Sequence, residues 1–163
     1  MISIKTFRFS RQIGKTATVG LWMIFGLIPQ NFVYAQPVVK QWTRQPGTSA
    51  DDGAKRVVTD SSGNIYVTGF TNGGLDGNTN QGGGDIFLIK YDSSGKKIWT
   101  RQLGTNTNDE GWGITTDSSG NIYVAGFTNG GLDGNTYQGG ADIVLIKYDS
   151  SGSQIWTRQF GTS

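Results

Sequence analysis

The sequence predicts an all-β fold built from repeated four-stranded antiparallel units, and three observations carry that reading. The tetrapeptide WTRQ stands at Trp42, Trp99 and Trp156, a constant step of 57 residues, and the stretches between align without a gap. DSSGNIYV begins at Asp60 and Asp117, FTNGGLDGNT at Phe70 and Phe127, and LIKYDSSG at Leu88 and Leu145. Self-similarity at a fixed period of this size marks a repeat architecture. Finally, short β-branched and aromatic runs alternate with Gly, Asn, Asp and Ser clusters, the pattern of strands and tight turns, and nothing after the leader has helical period.

The leader comes first. Residues 1–35 read as a signal peptide: basic Lys5, Arg8, Arg11 and Lys15, then the apolar run ATVGLWMIFGLI at residues 17–28, then Pro29. Val33 and Ala35 are placed for cleavage before Gln36. The apolar run is too short to cross a hydrocarbon core, which needs roughly 20 residues, so no membrane span is expected after cleavage. All four leader charges are basic, so residues 36–163 keep ten Lys and Arg against twelve Asp and Glu, a net charge of −2. That region has no basic stripe of the kind phosphate backbones require, which argues against a nucleic-acid partner. With no cysteine anywhere there is no disulfide framework, and stability must come from packing.

Within residues 36–163, one extra strand is expected at residues 40–45, ahead of the first complete unit. The unit then reads as a strand at residues 55–59, a DSSGN hairpin, a strand at residues 64–71, a long glycine-rich loop, and an almost wholly apolar strand at residues 85–92. That last run suits burial on both faces. A second DSSG turn leads into a fourth strand at residues 96–102. Cutting the period at the tryptophans gives units of about 42–98 and 99–155, with 156–163 reading as the partial start of a third.

Four strands per unit of this size is the make-up of a β-propeller blade. The run DSSGNIYVxGFTxGxLDGNT, followed by GGxDIxLIKYD and WTRQxGT, closely resembles the bacterial SBBP-type β-propeller repeat over almost everything after Val39. The resemblance implies propeller-type blades. A weaker likeness is to the tryptophan-docking motif of quinoprotein propellers, in which the Trp packs between blades; it is carried by Asp92, Gly95 and Trp99 and repeated by Asp149, Gly152 and Trp156, and both tryptophans are read as packing residues without a quinone cofactor being read from them. Closed propellers usually have four to eight blades. Two units plus a strand therefore form an open ring, and self-association through open blade edges is expected.

The chemistry is concentrated in the loops. LDGNTNQGGGD and its copy LDGNTYQGGAD place Asp76, Asn78, Asn80 and Asp85 in one unit and Asp133, Asn135 and Asp142 in the other. Those oxygens can supply part of a calcium shell, or the loop can be a wide turn whose Asp and Asn side chains cap its own backbone. The expected cofactor is none, with calcium as the alternative to test. No histidine or cysteine is present, which removes the usual general base and thiol nucleophile. The adjacent acids Asp51–Asp52 and Asp109–Glu110 are read as solvated rather than as a glycosidase pair. Trp112 and Tyr137 break the repeat, where Lys55 and Asn80 stand in the first unit, and are the candidate contacts for a protein or carbohydrate ligand. The function expected is a secreted or cell-surface propeller module acting as an interaction scaffold, not an enzyme. The alternative is a fragment of a larger secreted propeller enzyme.

Because basic, apolar and VYA stretches follow in secretory order, the exported protein is expected to begin at Gln36. Intact-mass measurement checks this, and a mass retaining residues 1–35 contradicts it.

Overall fold

The computed structural model describes residues 39–163, so the signal-peptide reading of residues 1–35 and the cleavage point before Gln36 lie outside the described residues. Eight strands follow in order: β1 (Asp52–Thr59), β2 (Ile65–Thr71), β3 (Asp85–Tyr91), β4 (Lys97–Leu103), β5 (Asp109–Thr116), β6 (Ile122–Thr128), β7 (Asp142–Tyr148) and β8 (Gln154–Phe160). They form two four-stranded sheets, β1-β2-β3-β4 and β5-β6-β7-β8, with every neighbouring pair antiparallel. The two blades do not close a ring. Among the described residues no helix is long and apolar enough to cross a membrane.

The hairpins form where the DSSG motifs stand. Asp60 Oδ1 accepts the Ser62 and Asn64 amides, each at 2.9 Å, and Asp60 Oδ2 accepts Asn64 Nδ2 and the Tyr66 hydroxyl. One carboxylate thus closes the turn and ties it to the next strand, the job for which Asp is favoured in turns. Burial, with Asp60 accepting its proton, pushes the Tyr66 phenol up to about 12.

Each sheet has two faces. On the first blade, pairing register puts Tyr66, Thr68, Ile86, Leu88, Lys90, Trp99 and Leu103 on one side, here called the back. Ile65, Val67, Phe87, Ile89 and Tyr91 share the front with the loop residue Leu75. The back of the first blade packs on the front of the second in one core: Tyr66, Ile86 and Leu88 meet Ile122, Val124, Leu132, Val144, Ile146 and Tyr148. A side chain of this kind contributes about 1.5–3 kcal/mol when fully buried. The blades approach so closely at the centre that a Cβ on Gly111 would lie 2.4 Å from Thr68 Oγ1.

WTRQ is the clasp of this interface. Side chains alternate across a strand, so Trp99 and Arg101 face the second blade while Thr100 and Gln102 face their own. Trp99 lies over Gly152 in the β7–β8 turn, where a Cβ would meet its ring at 2.9 Å and φ is +80°. Arg101 Nε donates to the Gly152 carbonyl at 2.7 Å, and Lys90 Nζ to the Ser150 carbonyl at 3.1 Å. Trp99 therefore packs between blades, as the docking-motif likeness implies.

Two expectations are corrected. Residues 40–45 are not a strand and have no ladder partner among the described residues. A fourth strand pairs with the third strand of its own blade, and among the described residues no strand precedes β1. The segment still reproduces the clasp through side chains: Trp42 lies over Gly95, and Arg44 Nε donates to the Gly95 carbonyl at 2.5 Å. The final WTRQ lies in β8, the outer strand of the second sheet, so it ends a blade instead of starting a third unit.

Ile86 and Ile143 are equivalent in sequence, yet Ile86 is 1 % exposed and Ile143 63 %. Ile86→Ala is expected to cost about 2–5 kcal/mol. Ile143→Ala, at chain dilutions that suppress association, should stay within about 0.5 kcal/mol of wild type. Urea unfolding of both variants measures the difference, and equal losses contradict this interface.

Candidate binding surface

The long loops begin and end at the same end of each sheet as the connection into and between blades. The Asn72 amide donates to the Asp51 carbonyl, Asn129 to Asn108, and Asp109 to Gly84, the last at 2.6 Å. The loop tip then turns down. Leu75 and Leu132 leave that end and bury themselves in the blade fronts, inside short 3₁₀ turns at Leu75–Gly77 and Leu132–Gly134. Asp76 and Asp133 sit at φ 54° in the left-handed region, where Asp is among the few tolerated side chains.

This folding separates the candidate cation ligands. Asp76 pairs with Lys97 and accepts the Thr100 hydroxyl. Asp85 is fully buried, and its Oδ2 accepts the Gln81 amide and Gln102 Nε2, both at 2.9 Å. Thr100 and Gln102 are two residues apart on one strand face, about 7 Å, so the two carboxylates are anchored at different points. Asn78 Nδ2 donates to the Leu75 carbonyl at 2.7 Å, and Asn80 Oδ1 accepts the Gly82 amide at 2.9 Å. In the second copy Asp133 accepts from Gln154, Asn135 donates to the Leu132 carbonyl, and Asp142 accepts the Gln138 amide and Gln159. Among the described residues no group of three or more His, Cys, Asp or Glu gathers around one point.

Gln102 and Gln159 are residues that the sequence reading passed over. Each reaches from the outer strand into the loop of its own blade: Gln102 Oε1 accepts the Leu75 amide, and its Nε2 donates to the Gly73 carbonyl. Gln159 repeats both bonds with Leu132 and Gly130. The final residue of WTRQ fixes the loop, and its recurrence at a constant distance from LDGNT was the available signal.

Of the adjacent acids read as solvated, Asp109 is instead fully buried, its Oδ2 accepting the Thr105 amide at 2.6 Å. Asp52 is half-buried and accepts the Thr48 amide and the Thr71 hydroxyl. Burial holds Asp109 above the usual carboxylate range, against hydrogen bonds from Thr128 and Thr105. Burial likewise raises Asp85, and the charge of Asp109 adds to it, while bonds from Gln102 and Gln81 oppose. Asp85 Oδ1, Asp109 Oδ1 and Asp142 Oδ1 have no hydrogen-bond partner. Asp85 Oδ1 lies against Gly104, where a Cβ would approach to 2.0 Å.

The surface best suited to a ligand lies on the inner strands. β1 and β5 each carry a bulge, at Lys55 and at Trp112, which leaves that residue outside the ladder. Bulges re-aim side chains in this way, and Gly111 and Gly113 flank the second. Trp112 is 55 % exposed, stands edge-on to Phe127 at 5.4 Å between ring centroids, and donates Nε1–H to Glu110 Oε2 at 2.8 Å. The same Glu110 oxygen meets Lys55 Nζ at 3.3 Å, and Lys55 lies over the Phe70 ring. One carboxylate therefore joins an ammonium from the first blade to an indole from the second. Tyr137, 40 % exposed, lies apart on the second loop with its hydroxyl donating to the Gly140 carbonyl.

Residues 41–76 and 98–133 match the SBBP family, described as a beta-propeller repeat. The chain is also similar to the regulatory protein FlaEY of Caulobacter vibrioides, 29 % identical over 121 residues, 66 % of this chain and 13 % of that protein. It is similar to an uncharacterized WD repeat-containing protein, L264, of Acanthamoeba polyphaga mimivirus, 27 % identical over 183 aligned residues, 83 % of this chain and 13 % of that protein.

Two outcomes are expected. A carboxyl raised on folding holds its proton more tightly in the native state, so its contribution to stability is present at low pH and is lost as pH rises through the raised value. Asp85→Asn should therefore gain stability relative to wild type as pH rises above about 4, the ordinary carboxylate value, as read by urea midpoints; a constant difference contradicts this. Because the loop donors are engaged as described, millimolar calcium, the range at which extracellular modules bind, is expected to leave the melting temperature unchanged, and a calcium-dependent rise contradicts that.

Proposed function

From a chain carrying two SBBP beta-propeller repeats, we propose an extracytoplasmic interaction scaffold of bacterial type, secreted or held at the cell surface, with no catalytic activity of its own. The observation that carries the reading is Trp112, a large aromatic that breaks the repeat and is pushed out by a bulge onto the inner strand. Indoles and paired charges of this sort suit stacking on a sugar or anchoring a protein segment. The leader-like residues 1–35 support export. The absence of histidine and cysteine supports a non-catalytic role.

A second reading is favoured by one observation: the chain spans about 13 % of the length of each curated relative it matches. On that reading these blades belong to a larger secreted propeller enzyme whose catalytic residues lie in other blades. Further 57-residue units in the adjoining reading frame, with histidine or carboxylate departures, would favour it.

Titration of the purified chain with oligosaccharides and with envelope proteins, read by tryptophan fluorescence, tests the scaffold reading. Trp112→Ala is expected to weaken binding by at least about tenfold, or about 1.4 kcal/mol, with the melting temperature little changed. Binding that survives Trp112→Ala places the ligand elsewhere.

A further inference from the structure

The interface within the chain is a template for one between chains. It joins the back of the first blade to the front of the second, and each half has a copy one period away that does not face a blade of the same chain. The back of the second blade repeats Tyr66, Ile86, Leu88 and Trp99 as Tyr123, Ile143, Leu145 and Trp156. In the first blade these positions are buried or half-buried; in the second, Ile143 is 63 % exposed and Phe160, the equivalent of Leu103, 60 %. The front of the first blade repeats the buried front of the second, with Val67, Leu75, Ile89 and Tyr91 in place of Val124, Leu132, Ile146 and Tyr148. It holds an apolar hollow of about 380 Å³ lined by these side chains together with Trp42 and Val57, the last 63 % exposed.

We propose that the back of the second blade docks on the front of the first blade of another copy of this chain, repeating the internal blade interface in a head-to-tail assembly. The occupant follows from continuity with an established interface: the exposed back of the second blade, and the front of the first, where Phe87, Ile89 and Tyr91 are already buried and Val57 is exposed, each have a complement in nearly the same residues elsewhere in the same molecule. One element has to move. Trp42 and Arg44 occupy on Gly95 the place that Trp99 and Arg101 occupy on Gly152. An incoming Trp156 and Arg158 compete for it. Residues 40–46 lack a strand ladder and hold this position by side chains, so they act as a displaceable stand-in for a docked blade. A head-to-tail contact either closes or runs on.

This inference is independent of the scaffold proposal, since assembly requires no foreign ligand and ligand binding at Trp112 requires no assembly. The test is sedimentation velocity on the purified full chain and on variants at exposed positions, with circular dichroism to establish folding. Wild type is expected to associate as concentration rises. Ile143→Lys spoils only the back and Val57→Lys only the front, so each should abolish the larger species. An equimolar mixture of the two keeps one intact front and one intact back, and should recover a dimer. Trp42→Ala should strengthen association at least about threefold by removing the competitor. A wild type that stays monomeric at its solubility limit, single variants that associate like wild type, or a mixture that fails to recover a dimer overturns the proposal. Weaker association of Trp42→Ala overturns the displacement step.

Discussion

The fold depends on the docking of one blade against the next, because a four-stranded sheet of this size cannot bury both of its apolar faces alone. β3 and β7 are apolar at nearly every position, and such strands need cover on both sides. The second blade's front obtains that cover from the first blade, and its Ile122, Val124, Val144 and Ile146 are fully buried. Trp99 and Arg101 lock the arrangement at the outer edge, where polar and apolar parts act together. The indole covers a glycine that must lack a side chain, and the guanidinium satisfies the carbonyl of that glycine, which the turn leaves without a ladder partner.

The same motif ties each loop to its own blade, so inter-blade packing and loop conformation are coupled through one strand. Thr100 and Gln102 hold the loop while Trp99 and Arg101 hold the neighbouring blade. A shift of β4 would move both together. This explains why WTRQ recurs whole. Substituting one residue would loosen a different partner in each case, and the geometry needs all four at alternating positions.

Much of this was legible in the sequence. The period, the four strands and the hairpins follow from pattern, because side-chain alternation and turn chemistry are local properties, and the packing role of Trp99 was implied by the docking-motif likeness. Three features are not local. Residues 40–45 have the composition of a strand, but a strand needs a partner, and among the described residues they have none. Leu75 sits in a glycine-rich polar loop, and only the unfilled blade front shows why it folds down to be buried. The bulges that expose Lys55 and Trp112 depend on pairing register, which one strand's sequence does not specify. The candidate cation ligands show the same limit: Asp76 and Asp85 are near one another along the chain, and the fold holds them at separate anchors, one on Lys97 and Thr100 and the other on Gln102.

Identical sequence in different surroundings separates what a residue is from what it does. Asp85 and Asp142 both accept their loop's amide and the glutamine of WTRQ, so the local turn is the same in both blades. Asp85 differs in having Asp109 across the blade boundary, and the negative charge of that neighbour adds to the burial that raises it. The repeat therefore brings a cost that grows with its own success: stacking one blade on the next sets the buried carboxylate of the first beside that of the second. Burying a charge is tolerated where it is hydrogen-bonded, and each carboxylate retains its backbone amide donor. The Oδ1 atoms of Asp85, Asp109 and Asp142 are all unpartnered, so that part of the cost belongs to the buried loop carboxylate itself, and stacking adds the neighbouring charge. Any further blade docked in the same way would create the same junction at the back of the second blade, with Asp142 in the place of Asp85.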